Sequence, residues 1–307
     1  RTIIYQKDTL ILKGVGGRYT VRCADGTLLE CGARGIFRKD GVSPLVGDRV
    51  RLQYDPSPVI AEIAPRKNSL TRPRIANVDL MVIVSSMVEP SLNRFLLDKM
   101  TAVAVNKSME PVIVLTKTDL RPDDGAAAVY RKIGMKCLTL SPNDDSGLNE
   151  LRAWMKGRIS VFTGNSGVGK STLLGRLMNR TLETGDISRK LGRGRHTTRE
   201  VTLYELPDGG YTADTPGFST LDIERYDCVR SDELALCFPE FAPFRTECRF
   251  ADCTHRTEPG CAVLDAVRSG RIPVSRHESY CRMFEEVQTL QHWERPADAA
   301  KRASRPR

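Results

Sequence analysis

Gly164-Asn165-Ser166-Gly167-Val168-Gly169-Lys170-Ser171-Thr172 is the stretch from which the rest of this chain can be read. It fits the phosphate-binding pattern G-x-x-x-x-G-K-[ST]. An apolar run over 159–162 precedes it and reads as a buried strand. Leu173, Leu174, Leu177 and Met178 follow at helical spacing. Glycines let successive N–H groups turn inward at a helix N-terminus, which makes a nest for anions. Lys170 can reach the outer phosphates of a nucleotide, and the Ser171 hydroxyl can bind Mg²⁺. All nine residues are candidate nucleotide contacts.

Upstream, strands and helices alternate. Strands are read over 78–84, 111–115 and 136–140, and helices over 126–133 and 148–155. Ser91 is the candidate cap of another helix, which carries Leu92, Phe95, Leu96, Met100 and Val103. The alternation predicts a mainly parallel sheet covered on both faces. Downstream, residues 181–200 are polar and basic. Apolar runs at 201–206 and 211–213 then flank Pro207-Asp208-Gly209-Gly210, a hairpin signal. The hairpin ends in Asp214-Thr215-Pro216-Gly217, a D-x-x-G pattern. It offers a carboxylate for Mg²⁺ and a Gly217 amide for a γ-phosphate.

Thr116-Lys117-Thr118-Asp119 resembles the guanine-specificity pattern N-K-x-D. The Asp119 carboxylate can accept from guanine N1–H and the 2-amino group together. Against adenine it would be left unpaired. The Lys117 stem can cover the base plane. Thr116 replaces the usual Asn, and a hydroxyl is shorter than an amide, so this loop is expected to be less firmly fixed. The order of the motifs is the informative part, because here the N-K-x-D-like element precedes the phosphate loop. Strand ends define such a pocket, so a permuted chain can keep it.

Residues 1–67 read as short strands with Gly-rich turns, which suggests a small barrel. Arg34, Arg38, Lys39, Arg49 and Arg51 fit either an oligonucleotide-binding face or scattered solvated charges. A polar, basic linker is expected over 65–74. Near the other end, Cys248-x4-Cys253-x-His255-x5-Cys261 offers three sulfurs and an imidazole. A Cys₃His set closes a tetrahedral Zn²⁺ site with no open position, so one structural zinc per chain is expected. Cys228, Cys237 and Cys281 fall outside that spacing and read as core or free thiols.

The chain has 307 residues, 40% hydrophobic and 28% charged, with a net charge of +9 that suits an acidic partner. No apolar run approaches the ~18 residues of a membrane span, so no membrane contact is expected. No signal peptide is read after Arg1. Nine cysteines beside a nucleotide loop point to a reducing cytoplasm.

The permuted order, the β-rich front and the segment from Cys248 to Val263 together resemble the RsgA/YjeQ family of circularly permuted GTPases. The resemblance runs from Val46-Gly47-Asp48 to about Tyr280. It implies a multidomain protein: an OB-fold RNA-binding barrel over 1–67 and a circularly permuted α/β P-loop GTPase domain over 68–221. A mainly helical zinc-binding domain over 222–295 and a disordered basic tail over 296–307 would follow. The resemblance further implies hydrolysis of GTP to GDP with Mg²⁺, in late maturation of the small (30S) ribosomal subunit and stimulated by that subunit and its rRNA. A cytoplasmic monomer is expected. On the family's pattern the Ser141 region closes over the guanine. Pro142 lacks an N–H, so one donor there must come from Asn143. Gly194-Arg195-His196-Thr197-Thr198 matches the family's mobile loop, with Thr198 joining Ser171 and Asp214 at Mg²⁺. Phe218 stands where many GTPases place a water-orienting Gln, and His196 is the candidate catalytic residue for that role beside Lys170. Two rivals stand beside this reading. Asp119 and the D-x-x-G argue against a P-loop ATPase. Lys170, Ser171 and Asp214 argue against an RNA-binding module with a vestigial nucleotide site. The chain leaves the nucleotide domain soon after Phe218, so the zinc domain is expected to follow the nucleotide state through that tether.

Overall fold

The structure, a computed structural model, describes residues 4–39, 41–54, 57–142, 144–179, 201–214 and 229–303. Strands β1 (Ile4–Val15), β2 (Arg18–Arg22), β3 (Leu28–Ala33), β4 (Arg49–Tyr54) and β5 (Pro58–Ile63) form the front, with one helical turn, α1 (Ile36–Lys39). β1 pairs with both β2 and β4, which closes the five strands into a barrel. Ile11, Val21, Leu52 and Ile60 fill its interior and are fully buried. Of the barrel's basic residues, Arg34 donates to Gln53 and Arg51 pairs with Glu62.

The stretch read as a polar linker is a folded seam. Two short strands, β6 (Ser69–Leu70) and β7 (Ile75–Ala76), pair there, and Ala76 N donates to Val46 O at 2.9 Å. Its polar residues serve the backbone. The Asn68 side chain accepts from Val78 N at 2.9 Å and donates to Val78 O at 2.8 Å, and Asn77 Nδ2 donates to Gly47 O at 3.0 Å. Gly47 sits at φ 87°, where a Cβ would lie 2.1 Å from Ala76 O. Only glycine allows that approach. Asp48 is fully buried and accepts from Leu45 N and from Arg66 Nε and Nη2, each at 2.7 Å.

The central domain contains β8 (Leu80–Ser86), α2 (Arg94–Asn106), β9 (Glu110–Thr116), α3 (Ala126–Lys132), β10 (Lys136–Thr139) and α4 (Ser146–Met155). It continues with β11 (Ile159–Thr163), α5 (Lys170–Leu177) and the hairpin β12 (Thr202–Glu205) and β13 (Tyr211–Asp214). The strand order is β10-β9-β8-β11-β13-β12, parallel except for β12. Alternation along β8 sends Leu80, Val82 and Val84 toward α4 and α5, while Met81 and Ile83 pack with residues of α2 and α3. Asn93, not Ser91, caps α2: its side chain accepts from Leu96 N at 3.0 Å. Asn is as good a cap as Ser, and Ser91 stays in the preceding loop. β12 also pairs with barrel strand β1 at Lys13↔Thr202, so the two sheets join into one of eleven strands.

After Val229 come three short 3₁₀ turns (Leu234–Cys237, Pro239–Phe241, Arg245–Glu247), then α6 (Ala262–Arg268) and α7 (Val274–Ala303). The rings of Phe238, Phe241 and Tyr280 lie 5.0 to 5.3 Å apart and form this module's core. Where the sequence reading placed a disordered tail from 296, α7 runs on to Ala303. Among the described residues, no helix is long and apolar enough to cross a membrane.

Candidate functional site

β8, β9 and β11 run parallel, so their C-terminal ends meet on one side of the sheet. Ligands of open α/β sheets bind at such ends. The phosphate loop leaves β11 there. Gly164 (φ 147°) passes so near β8 that a Cβ would lie 2.2 Å from Val84 O. Gly167 and Gly169 take φ of 81° and 93°, and Gly169 starts α5. These left-handed positions bend the chain into the curl that aims amides inward. Lys170 Nζ donates to Gly164 O and Asn165 O, both at 2.6 Å, and so spans the loop. Burial pulls its pKa below the ordinary lysine value, an expense that a phosphate anion would offset. Ser166, Ser171 and Thr172 are exposed and Val168 is buried.

Thr116 does more than the sequence reading expected. Its hydroxyl lies 2.6 Å from Val168 O and 3.2 Å from Ser85 O, so it ties β9 to the phosphate loop and to β8. The short side chain suffices because Gly169 lets the loop come close: a Cβ there would sit 3.7 Å from Thr116 Oγ1. Thr118 Oγ1 donates to Leu140 O at 3.0 Å, and Lys117 (φ 58°) donates through Nζ to Glu89 O. Asp119 is thereby left exposed at the rim. Arg176 of α5 donates to Ser141 O at 3.3 Å and pairs with Asp145, which braces the Ser141 loop against the helix behind the phosphate loop. The structure thus ties Thr116 directly to the phosphate loop and Ser141, through Arg176, to the helix behind it, with Lys117 bonded to Glu89 O beside them. Asp214 ends β13, which runs parallel to β11 beside it; its side chain is not among those described. His196, Thr198, Gly217 and Asn143 lie outside the described residues.

The four predicted metal-ligating residues also come together. The ligand atoms of Cys248, Cys253, His255 and Cys261 all lie within 4.8 Å of one another. His255 Nδ1 is 3.5 Å from the sulfurs of Cys248 and Cys261, which are 3.9 Å apart. With Zn–S of about 2.3 Å and Zn–N of about 2.0 Å, a tetrahedron puts nitrogen and sulfur about 3.5 Å apart and two sulfurs about 3.8 Å apart. The residues therefore fit zinc. Burial lowers the His255 pKa, which favours the neutral ligating form. His277 Nε2 and the Tyr280 hydroxyl each donate at 2.7 Å, to His255 O and Thr254 O, and anchor the ligand loop on α7. Burial opposes ionisation of Glu258, but donors from Thr254 and Thr257 outweigh it and hold the carboxyl at about 2.

One cluster left no trace in the sequence reading. Arg276, in the first turns of α7, is fully buried. Its Nη1 donates to Asp98 Oδ1 of α2 at 2.6 Å and to Thr101 Oγ1 at 3.1 Å, and its Nε donates to Glu240 Oε1 at 2.7 Å. The Tyr130 hydroxyl of α3 donates to the same Asp98 oxygen at 2.9 Å. Burial opposes the charge, yet Asp98 and Glu240 hold the guanidinium pKa above its ordinary value. A lone Arg in a polar helix start reads as solvated, so no sequence signal marked it.

Comparison with known proteins agrees with this geometry. A family model described as RsgA GTPase matches residues 63–224, and one described as RsgA N-terminal domain matches residues 9–58. A protein of Caldanaerobacter subterraneus subsp. tengcongensis, named small ribosomal subunit biogenesis GTPase RsgA, is 45% identical over 283 residues, covering 90% of this chain and 94% of its own. The protein of that name from Geobacillus sp. is 43% identical over 286 residues, covering 90% and 96%. The crystal structure of YloQ, a circularly permuted GTPase, superposes with a TM-score of 0.76 at 32% identity, covering 94% and 96% of the two chains. That of YjeQ from Thermotoga maritima gives 0.78 at 33% identity, covering 93% and 99%.

Proposed function

This chain belongs to the RsgA family of circularly permuted GTPases and is a GTP hydrolase, and from that premise we propose that it works on the small ribosomal subunit and is stimulated by it. The relatives' name, small ribosomal subunit biogenesis GTPase, supports this partner. The observation that carries the nucleotide reading is the Thr116 contact with Val168 O, which holds the guanine motif against the phosphate loop.

In this reading the amides of residues 164–172 and Lys170 cradle the phosphates, and Asp119 pairs with the guanine edge while Lys117 covers its face. Ser141 closes the base pocket. Ser171, Asp214 and Thr198 would hold Mg²⁺, which when bound would supply neutralisation of the phosphate charge, and the Gly217 amide would contact the γ-phosphate. His196 orients the attacking water, since Phe218 has no polar group. Catalysis is then mostly positioning, and the intrinsic rate is slow. Cys248, Cys253, His255 and Cys261 hold one structural zinc. The barrel contributes contacts to rRNA phosphates, and the protein acts as a cytoplasmic monomer.

The test is GTP turnover measured with each ribosomal subunit separately. The small subunit should raise the rate at least tenfold over the intrinsic value, a barrier change of about 1.4 kcal/mol, and the large subunit should not. His196→Ala should abolish the stimulation while GTP affinity persists. Equal stimulation by both subunits would reject the small subunit as the specific partner.

A further inference from the structure

The sequence reading routes nucleotide state to the Cys/His module through the tether after Phe218, and residues 215–228 lie outside the described residues. The described residues contain a second route. Residues 87–93 touch both nucleotide motifs. Lys117 Nζ donates to Glu89 O, and Met87 N donates to Thr116 O at 3.0 Å. A Cβ on Gly167 would meet Pro90 Cδ at 3.8 Å and Glu89 O at 3.9 Å. Ser86 Oγ donates to Pro90 O at 2.6 Å, which fixes the turn to the end of β8. The segment runs straight into Asn93, the cap of α2. Little more than one turn further along α2 come Asp98 and then Thr101, both bonded to Arg276. Arg276 grips Glu240 of the module with its other side.

We propose that Arg276 is a positioning residue for guanine-nucleotide turnover: it locks the Cys/His module to α2, so that the module and the segment 87–93 beside the pocket report on each other. The proposal rests on the guanine-nucleotide reading proposed above. α2 transmits a shift because a hydrogen-bonded helix moves as a rod. An apolar contact tolerates sliding, whereas a guanidinium held between two carboxylates keeps one geometry. Two buried atoms of the cluster, Arg276 Nη2 and Glu240 Oε2, have no hydrogen-bond partner among the described residues. The guanidinium is held through Nε and Nη1 alone, so a displacement of Asp98 reaches Glu240 through one side chain. The module's own partner would then act back on Lys117, because such coupling is reciprocal.

Hydrogen exchange with mass spectrometry on the full chain, with and without GDP and Mg²⁺, tests this. In the unaltered protein, saturating GDP should slow exchange about fivefold at residues 238–241 and 276–284, the low end of typical coupling. Arg276→Met should still bind GDP and protect the phosphate loop, with no slowing in the module. Asp98→Asn keeps the shape and removes the charge; it serves if the first variant fails to fold, and the same loss is expected. Slowing of the module in either folded variant equal to that in the unaltered protein overturns the proposal. So does absence of slowing in the unaltered protein when calorimetry shows GDP bound. Failure of GDP to bind the unaltered protein would overturn the guanine reading and the proposal with it.

Discussion

The central domain is flanked on two sides, and the two attachments are built differently. The barrel is joined largely by backbone. β1 pairs with β12, Ala76 N bonds Val46 O, Gly47 lies against Ala76, and two Asn side chains bond main-chain groups. The Cys/His module is joined by side chains. Arg276 bridges Asp98 and Glu240, Lys99 pairs with Glu286 at 2.9 Å, and the Arg282 guanidinium lies 3.8 Å from the centre of the Phe95 ring. Backbone groups are carried by every residue and tolerate substitution wherever the chain path is kept. A buried charge cluster depends on each of its members. The barrel seam should therefore be sensitive to changes in chain path, and the module contact to changes in charge.

The largest expected effect is at the module. Arg276→Ala leaves Asp98 and Glu240 buried without their counter-ion, and should destabilise the module's attachment by about 3–5 kcal/mol. Denaturant unfolding should then resolve a module transition below the main one. A single transition at the unaltered midpoint would show the charge cluster to be dispensable. Next is the seam. Gly47→Ala meets a backbone oxygen at 2.1 Å with φ at 87°, and should cost about 2–4 kcal/mol from left-handed strain and overpacking together. Limited proteolysis should then release the barrel by cleavage within 64–77; resistance equal to the unaltered protein would mean that the seam absorbs the extra carbon. The smallest effect is at the ion pair beside the seam, Arg22 with Glu205, whose side chains are 29% and 46% exposed. Arg22→Ala should cost less than about 1 kcal/mol in thermal unfolding. A loss several times larger would make the seam a side-chain device like the module contact, and erase the contrast.

How legible each part was follows from the same difference. The phosphate loop and the Cys₃His set were readable because their chemistry demands particular residues at short, fixed spacing. The alternation of strands and helices was readable because both faces of the sheet are buried. The seam was misread as a linker because polar content does not say whether polar groups bond water or backbone. Thr116 was expected to hold its loop weakly. How far a hydroxyl must reach is set by the packing of β8 between β9 and β11, which spacing along the chain does not contain.

The sequence by itself determined the family, the order of the domains, the GTPase chemistry and the members of the Cys₃His cluster, since each rests on local residue types. Only the tertiary structure decided how the parts are held. Asp98 and Arg276 are 178 positions apart, and nothing local to either marks the other. Their pairing exists because α2 and α7 pack together and exclude water, and only in that dry contact does a guanidinium between two carboxylates acquire its full effect.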